Sequence, residues 1–423
     1  MNIVFVTIEL ASQSNSSGGL ASFTANMAKI FASYGHHVHI VLASTKECHI
    51  EFQEGIEVIS LYVPMETWTK MDRAAKVLNH VSRSDRVSIT RAFVNLYKAR
   101  QVRQAVKKID SVEKIDMIHY CNHGSLNRLS PAGIPYIVRL SGFINIWFGG
   151  ANTPGGSLEY KKNPLSVRDR LEEFTIRKAR FVVSPSYLLA GIAKENLGKE
   201  VTVIESPFVI NEKEWDDTVR NFWGLNQKKY IIHFGSLKYL KGTHIVARIA
   251  KAFLMLYPDF YLVLAGNSEE LSDDDGTRVK ADELVKKAAG ECADRVIYAG
   301  RLVREQLYPV IQDAALCLLP SRIENLSNAC IEAMAMGKIV VATNGASYEQ
   351  LIDDRISGFL CERDNPESFL KAVNEALNMD DEAKGRMACK AAERIKQLAP
   401  DVIYKKYLEF YQGVIREWGK KLR

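Results

Sequence analysis

The sequence predicts an α/β protein with two domains, each built on a parallel β-sheet with helices on both faces. Short apolar runs of strand length alternate with longer amphipathic runs, which is typical of parallel sheets. The alternation stops at Ser206-Pro207-Phe208 and a polar stretch, 211–217, and then restarts. The length of 423 residues is also too great for one ordinary core and suits two or three domains. We therefore expect Rossmann-like domains over 1–208 and 209–399, facing a central cleft at the carboxyl ends of their strands.

The individual elements follow from the same apolar runs. In the first half these runs predict strands at 3–7, 38–43, 56–62, 117–120, 136–140, 182–184 and 201–204, with helices at 20–34 and 171–179. In the second half they predict strands at 230–234, 261–265, 296–298, 315–319 and 339–342, with helices at 243–256, 282–289, 304–313 and 326–336. Three further helices are expected at 366–377, 381–398 and 403–422, and the last is rich in aromatic residues.

Composition excludes several classes of protein. Hydrophobic residues make up 47% and charged residues 25% of the chain, as in ordinary globular proteins. Apolar runs stay well below the roughly 20 residues that span a bilayer, and the first residues resemble a strand more than a signal peptide. The seven cysteines are dispersed and form no Cys-x-x-Cys pair. We expect a cytoplasmic protein with neither a structural zinc site nor a redox motif.

The net charge of +6 is unevenly spread. Residues 70–109 contain 11 Lys or Arg against 2 Asp and have helical character. Two interpretations of this segment stay open: a solvated helical face, or a surface that contacts anionic lipid headgroups or a polyprenyl-diphosphate acceptor. The second would give peripheral contact with the inner face of the membrane. Nucleic acid is not expected as a partner, because basic and aromatic residues are not interleaved.

The most informative segment is 320–337. A buried strand is followed by a polar loop containing Glu324 and then by a helix that Ser327 or Asn328 can cap and that Gly337 ends. The free amides of such a helix start favour an anion. The second carboxylate, Glu332, lies about one turn into the helix. Amides for a diphosphate and carboxylates for hydroxyl groups suit a nucleotide diphosphate sugar.

The string Pro-Ser-x-x-Glu, seven residues, then Glu-Ala-Met-Ala-x-Gly resembles family 4 of the retaining glycosyltransferases (glycosyl transferases group 1), which have the GT-B fold. The resemblance covers nearly the whole chain; it is strong over 231–361 and loose over 45–115. It implies an acceptor-binding N-terminal domain, with the C-terminal helix 400–423 packed back on it, and a donor-binding C-terminal domain.

Other motifs extend the resemblance on the donor side. Gly18-Gly19, after the first strand, matches the family's glycine pair near the donor diphosphate, and Lys241-Gly242 matches the family's Lys-Gly. Ser236 replaces the family's Arg in the same loop, which leaves one cation fewer, and Lys238 is a candidate for part of its role. Gly300-Arg301 resembles the turn that faces the nucleobase.

On the acceptor side, residues 116–123 resemble the family's Asp-x-x-His-x-His loop. His119 matches the first His, and Cys121 stands at the position of the second. His123 either takes that place or has a structural role. Arg139 and a glutamate, Glu172 or Glu173, also fit the family's pattern in this half.

The resemblance thus implies transfer of a hexose-type sugar, with retention, from a UDP- or GDP-sugar to a hydroxyl acceptor, and we expect a role in cell-surface polysaccharide or glycolipid synthesis. We assign Glu332 to the ribose hydroxyls and Lys241 to the leaving diphosphate. Glu324, with the amides of Leu326, Ser327 and Asn328, would hold the sugar hydroxyls and the diphosphate. The nucleotide sugar is the donor substrate, a carbohydrate or lipid-linked sugar is the acceptor, and neither a cofactor nor a metal ion is expected.

Readings from other classes stay open. They are a GT-B-fold nucleotide-sugar epimerase or phosphorylase, a nicotinamide dehydrogenase, and a non-catalytic nucleotide-sugar-binding protein. The dehydrogenase is disfavoured because the Gly-x-Gly-x-x-Gly fingerprint is missing. The non-catalytic binding protein stays an alternative because Ser236 replaces the family's Arg and Cys121 stands at the position of its second His.

Overall fold

The computed structural model describes residues 1–11, 18–44, 55–79, 85–143, 146, 151–160, 166–208, 215–273 and 276–421. The chain forms two compact units: residues 1–145, 160–207 and 400–423 make up the first, and residues 146–159 and 208–399 the second. The segment 146–159 therefore belongs to the second unit, in contrast to the predicted N-terminal domain of residues 1–208. The physical reason is Arg322, whose Nη1 and Nη2 donate to the carbonyls of Ala151 and Gly156 at 2.9 and 3.0 Å.

The first unit holds a seven-stranded parallel sheet in the order β3-β2-β1-β4-β5-β6-β7. Its strands are β1 (Asn2–Thr7), β2 (His37–Ala43), β3 (Ile56–Leu61), β4 (Met117–Cys121), β5 (Tyr136–Arg139), β6 (Val182–Ser184) and β7 (Thr202–Val203). Its helices are α1 (Gly19–Ser33), α2 (Met65–Asn79), α3 (Arg86–Val112), α4 (Val167–Lys178), α5 (Tyr187–Leu197) and the C-terminal helix, which is described with the last helices below. Every residue of β1 and β4 is buried, as expected for central strands covered on both faces.

The second unit holds a six-stranded parallel sheet in the order β12-β9-β8-β13-β14-β15. Its strands are β8 (Lys229–Phe234), β9 (Phe260–Ala265), β12 (Val296–Tyr298), β13 (Leu316–Leu319), β14 (Val340–Thr343) and β15 (Phe359–Cys361). A separate antiparallel pair, β10 (Glu270–Ser272) and β11 (Arg278–Lys280), was not predicted, because it is short and mostly exposed.

The helices of the second unit agree closely with the predicted ones, except for the short first helix, which was not predicted. They are α6 (Thr218–Phe222), α7 (Thr243–Leu256), α8 (Ala281–Ala289), α9 (Arg304–Asp313), α10 (Asn328–Ala335), α11 (Pro366–Asn378) and α12 (Asp381–Lys396). The chain ends in α13 (Pro400–Lys421), which belongs to the first unit. Three aromatic residues of α13 account for that place: Tyr411 hydroxyl lies 2.6 Å from His119 Nδ1, Tyr404 hydroxyl 2.8 Å from His36 Nε2, and Tyr407 is fully buried.

The basic segment forms two helices, α2 and α3. Both acidic residues of the segment 70–109 interact with other residues of the same segment. Asp72 pairs with Arg86, and Asp85 caps α3 by accepting a hydrogen bond from the Ser88 amide at 2.8 Å. Exposed hydrophobic side chains, Met65 and Val77, stand on α2 beside its lysines and arginine. None of the described helices is both long and apolar enough to cross a membrane.

Two close backbone approaches bring the loops of the second sheet together. Gly242, after β8, has φ +75°, and a Cβ built there would lie 1.9 Å from the carbonyl oxygen of Pro320, after β13. Gly266, after β9, has φ +143°, and its Cβ would lie 1.6 Å from the carbonyl oxygen of Gly235. Only glycine fits either position, because both the space and the backbone angle exclude a side chain.

The buried side chain of His233 connects the loops of this sheet edge by hydrogen bonds. His233 Nδ1 lies 2.9 Å from the carbonyl oxygen of Leu318, so this nitrogen carries the proton and donates. The other ring nitrogen, Nε2, then accepts from the Thr243 hydroxyl at 3.0 Å. Burial lowers the pKa of His233 to about 4, which keeps the ring neutral. The end of β8, the end of β13 and the start of α7 are thereby tied together.

Replacing Gly266 with Ala tests this construction. We expect the free energy of unfolding to fall by about 3 kcal/mol or more, since the new methyl group meets backbone and the φ angle is strained. Urea denaturation is the measurement. Gly385→Ala in α12 is the matched control, because a Cβ there has nothing within 4 Å, and it should be neutral or stabilising by up to about 1 kcal/mol. Equal stability of the two variants would contradict the steric argument.

Candidate active site

The strand order of the second sheet reverses between β8 and β13, and two predicted site residues follow these strands. Lys241 comes after β8, and Glu324 comes after β13. Lys241 Nζ lies 2.5 Å from Glu324 Oε1. The side chain of Lys241 is 30% exposed and that of Glu324 is 11% exposed, so the pair is open to a ligand chiefly on the lysine side. Such a reversal is where parallel α/β sheets commonly bind ligands.

Glu324 is held by the loop that follows β14. Its amide donates to the Ala346 carbonyl at 3.1 Å, and the hydroxyl of Ser347 donates to the Asn325 carbonyl at 2.5 Å. Tyr348 is buried nearby; burial and the Glu324 carboxylate raise its pKa well above the ordinary value, which keeps the phenol neutral. The position of Glu324 therefore depends on a loop about twenty residues further along the chain.

Helix α10 begins where the anion site was predicted. Ser327 is the N-cap, and its hydroxyl oxygen accepts a hydrogen bond from the Cys330 amide at 3.3 Å. This resolves the choice between Ser327 and Asn328 as the cap. The amides of Leu326, Ser327 and Asn328 precede the one that the cap satisfies, at the positive end of the helix dipole.

Glu332 lies one turn into α10 and is buried. Tyr308 hydroxyl is 3.5 Å from its Oε1, and Arg304 Nε is 3.6 Å from the same oxygen. Burial raises the pKa of Glu332 to about 7, against the opposing effects of Arg304 and Tyr308. A carboxyl group with this pKa can accept hydrogen bonds from ligand hydroxyls in its ionised form.

Arg322 was not predicted and is a structural centre of the same loop. Besides binding the 151–156 segment, its Nε donates to Asp364 Oδ2 at 2.9 Å, and its guanidinium lies 5.1 Å from the ring centre of Tyr239. Asn152 Oδ1 accepts from the Leu240 amide at 2.9 Å, which adds a second link to that segment. The sequence carried no signal for these contacts, because Arg322 stands at an unspecified position of the motif.

Two further residues predicted for the donor lie at the same edge of this sheet. Ser236 follows Gly235 after β8, and Arg301 follows Gly300 after β12. Backbone hydrogen bonds connect the loops after β8, β9 and β12. The Gly235 amide donates to the Ala265 carbonyl, and the Gly266 amide donates to the Gly300 carbonyl. Lys238, the proposed substitute for the missing Arg, has its Nζ 3.6 Å from Glu269.

Gly18 and Gly19 lie at the start of α1 in the first unit. The carboxylate of Glu9 approaches this helix start: a Cβ on Gly18 would be 3.6 Å from Glu9 Oε1, and the Ala21 amide stabilises the ionised carboxylate. A carboxylate therefore already occupies part of the glycine-pair site. The assignment of Gly18 and Gly19 to a donor diphosphate stays a prediction.

His123 follows β4 in the first unit, with its side chain 20% exposed. His119 and Cys121 are instead buried. Burial holds the pKa of His119 well below its ordinary value and raises that of Cys121 to about 12, so both are neutral. Of the three, His123 is the one placed to meet a ligand, and its catalytic role stays a prediction.

Among the described residues no group of three or more His, Cys, Asp or Glu could hold a metal ion. The expectation that neither a metal nor another cofactor is needed stays a prediction.

Comparisons with known proteins support the resemblance. Residues 216–396 match the family model described as glycosyl transferases group 1. A Haemophilus influenzae protein named an uncharacterized glycosyltransferase is 26% identical over 192 residues, which are 45% of this chain and 49% of the relative. The chain spans about half the length of the curated relatives it matches.

Solved structures establish the fold. Sucrose-phosphate synthase from Thermosynechococcus elongatus superposes with a TM-score of 0.70 at 16% identity, covering 99% of this chain and 100% of that one. Anabaena HepE, in complex with UDP-glucose, superposes with a TM-score of 0.62 at 16% identity, covering 98% of this chain and 100% of that one. The predicted α/β class and GT-B fold, with two Rossmann-like domains, are confirmed.

The raised pKa of Glu332 predicts a pH-dependent stability. Between its ordinary value of 4.5 and about 7, the folded protein keeps a proton that the unfolded chain releases, so this residue's contribution to stability is lost as pH rises through that window. Glu332→Gln removes the effect, and its free energy of unfolding relative to the wild type should rise by about 2.5 kcal/mol from pH 5 to pH 8. Urea titrations at both pH values measure it, with the exposed Glu283→Gln as control. An offset independent of pH would contradict the assignment.

Proposed function

We propose that this chain, whose residues 216–396 match group 1 glycosyl transferases, is a retaining glycosyltransferase. It moves a hexose-type sugar from a nucleotide diphosphate sugar to a hydroxyl acceptor. The observation that carries the proposal is the Lys241–Glu324 pair at the strand-order reversal, next to the Ser327-capped start of α10. A cation, a carboxylate and free helix amides at one edge suit a diphosphate joined to a sugar.

Lys241 is the group that meets the leaving nucleotide diphosphate. Glu324 holds its ammonium, and a donor diphosphate entering on the exposed lysine side would share that cation. Charge that develops on the leaving phosphate would then be stabilised where it forms. The amides of Leu326, Ser327 and Asn328 add donors at the helix start, and Ser236 contributes no charge where the family has an Arg.

The two glutamates have separate tasks. Glu324, beside Lys241, accepts hydrogen bonds from hydroxyls of the transferred sugar. Glu332, one turn further into the helix and paired with Arg304 and Tyr308, accepts from the ribose hydroxyls. Arg301, after β12, lies on the side where the nucleobase would stack or pair. On the first unit, His123 would contact a hydroxyl of the acceptor, and the assignment of Gly18 and Gly19 to a donor diphosphate stays a prediction.

UDP is the first nucleotide to test and GDP the second. The complex of Anabaena HepE with UDP-glucose supports UDP, since that protein has the same fold over nearly its full length.

The remaining alternatives are a nucleotide-sugar epimerase and a non-catalytic nucleotide-sugar-binding protein. A thermal-shift and nucleotide-release screen with UDP-, GDP-, ADP- and dTDP-glucose separates them, because a bound ligand raises the melting temperature. A transferase releases nucleotide diphosphate, and its release rises with acceptor; an epimerase releases none, and a pure binding protein shows only the shift.

Lys241→Ala and Glu324→Gln test the site directly. Each should lower the rate of nucleotide diphosphate release by about 10²-fold or more, because each removes one electrostatic contact to the reacting groups. Lys251→Ala on α7 is the matched control: it also removes a lysine that pairs with a glutamate, Glu291 at 3.4 Å, and should leave the rate within a factor of about two. Full activity in either site variant would refute the assignment.

We also propose that α2 and α3 contact anionic lipid at a membrane surface, where a lipid-linked acceptor in polysaccharide or glycolipid synthesis would be found. Of the residues of α2, Ala75 is the buried one, and Lys70, Arg73 and Lys76 are exposed. The exposed Met65 and Val77 can enter the headgroup region. Since Asp72 and Asp85 are engaged within the segment, its outward charge is positive.

Charge reversal tests this surface. The triple variant Lys70→Glu, Arg73→Glu, Lys76→Glu should bind vesicles containing phosphatidylglycerol at least about 10²-fold more weakly, since each basic residue near such a surface contributes about 1 kcal/mol. Vesicle co-sedimentation at low and moderate salt is the measurement. The control, Lys371→Glu, Arg386→Glu, Lys390→Glu on α11 and α12, changes net charge equally. Equal binding of both variants would favour the solvated-face interpretation.

A further inference from the structure

His123 stands between two carboxylates at the carboxyl edge of the first sheet. This edge is the strand-order reversal of that sheet, where β1 and β4 are neighbours and β2 lies on the other side of β1. Glu9 follows β1, and His123 follows β4. Glu172 reaches the same point from α4, and its Oε1 lies 3.6 Å from His123 Nδ1. Three chemically active groups from three elements are therefore gathered at one place.

Hydrogen bonds through Asn122 fix the position of the Glu172 carboxyl group. Asn122 Nδ2 donates to Glu172 Oε1 at 2.8 Å and to the Gly142 carbonyl at 2.9 Å, while its Oδ1 accepts from the Ser141 amide at 2.8 Å. Asn122 is fully buried, and the side chain of Glu172 is 5% exposed. Within the described residues, neither Glu172 Oε2 nor His123 Nδ1 has a hydrogen-bond partner. The imidazole of His123 is the group beside this buried carboxyl group, and a buried charge is stabilised by an opposite charge nearby.

The charges around His123 favour its protonated form. Burial lowers its pKa, but Glu172 and then Glu9 raise it further than burial lowers it, and Arg168 on α4 opposes them. Among the described residues, Cys121 at the end of β4 is a further titratable neighbour, and it is neutral at ordinary pH because burial raises its pKa to about 12. Burial also raises the pKa of Glu9, and His123 lowers it in return.

We propose that Glu172 is a positioning residue that orients His123 as a hydrogen-bond donor, and that His123 and Glu9 together bind neighbouring hydroxyls of a sugar or polyol acceptor. With Nδ1 turned to Glu172, Nε2 is the ring nitrogen that donates to one hydroxyl oxygen. The Glu9 carboxylate accepts from the next hydroxyl. A fixed donor beside a fixed acceptor matches a pair of adjacent hydroxyls, each of which both donates and accepts. The inference rests on the proposed glycosyltransferase function and names residues that would bind its acceptor.

The first experiment measures the ring of His123 itself and needs no activity. The chain has 9 histidines, and the ring signal of His123 in a ¹³C-histidine NMR spectrum is assigned by its loss in His123→Gln. In Glu172→Gln the pKa of His123 should fall by about one unit or more, because an opposite charge within about 4–6 Å has been removed. Glu173→Gln, the next residue of α4, is the matched control and should leave it within about 0.2 units. An unchanged pKa in a folded Glu172→Gln protein overturns the inference.

The second experiment measures acceptor use with UDP-glucose as donor and methyl α-D-glucoside, N-acetylglucosamine and myo-inositol as acceptor probes. Glu9→Gln and Glu172→Gln should each raise the acceptor KM about tenfold and leave the donor KM within about twofold, as expected when one ligand contact is lost. In a His123→Gln background, Glu172→Gln should cost nothing further, because it acts through the ring. Additive losses would overturn the positioning role.

The two experiments fail separately. If the wild-type chain neither binds nor cleaves a nucleotide sugar, the proposed function is wrong, whatever the NMR titration shows. If the wild type transfers sugar but both variants keep the acceptor KM, the acceptor assignment of Glu9 and Glu172 is wrong. Glu9 lies at the partly exposed rim, so Glu9→Gln supplies the acceptor test even where Glu172→Gln does not fold.

Discussion

The donor-side site depends on how closely two backbone turns can approach each other. Gly242 lies against the Pro320 carbonyl without a Cβ between them, and Gly266 does the same against Gly235. Because the strands are parallel, their carboxyl ends share one edge, but strand pairing alone does not bring the following loops into contact. The two glycines permit that contact, and the neutral ring of His233 then bonds both strands and the start of α7. Lys241 and Glu324 meet only because these loops are in register.

The Lys241–Glu324 pair matters more for binding an anionic ligand than for the stability of the fold. An ion pair that is partly open to water contributes little to folding, since solvent screens it and two side chains must be ordered. The same partial exposure makes Lys241 available to an incoming anion. Arg322 shows the opposite arrangement: its guanidinium is buried and bonded to Asp364 and to two backbone carbonyls, so it stabilises the loop and has little left to offer a ligand.

Both sheets place their titratable residues at the same topological position. In the second sheet Lys241 and Glu324 follow the strands on either side of the reversal, and in the first sheet Glu9 and His123 do so. Differences in burial then give neighbouring titratable groups different protonation states. His119, only four residues from His123, packs under α13 against Tyr411 and is neutral, whereas His123 faces two carboxylates. The two histidines differ because His119 lies within β4, whereas His123 lies in the turn beyond the end of that strand.

The amino-acid sequence by itself determined most strands of the two parallel sheets, the limits of several helices and the string around Glu324 and Glu332, because hydrophobic periodicity and helix capping are local properties. It also marked Ser327 or Asn328 as the cap, and the structure chose Ser327. Only the tertiary structure decided that Arg322 binds residues 151–156, that Glu9 meets the start of α1, and that Glu172, not Glu173, faces His123. These contacts join residues far apart in the chain, and a single sequence carries no periodic signal for a pairing that depends on where two loops meet in space.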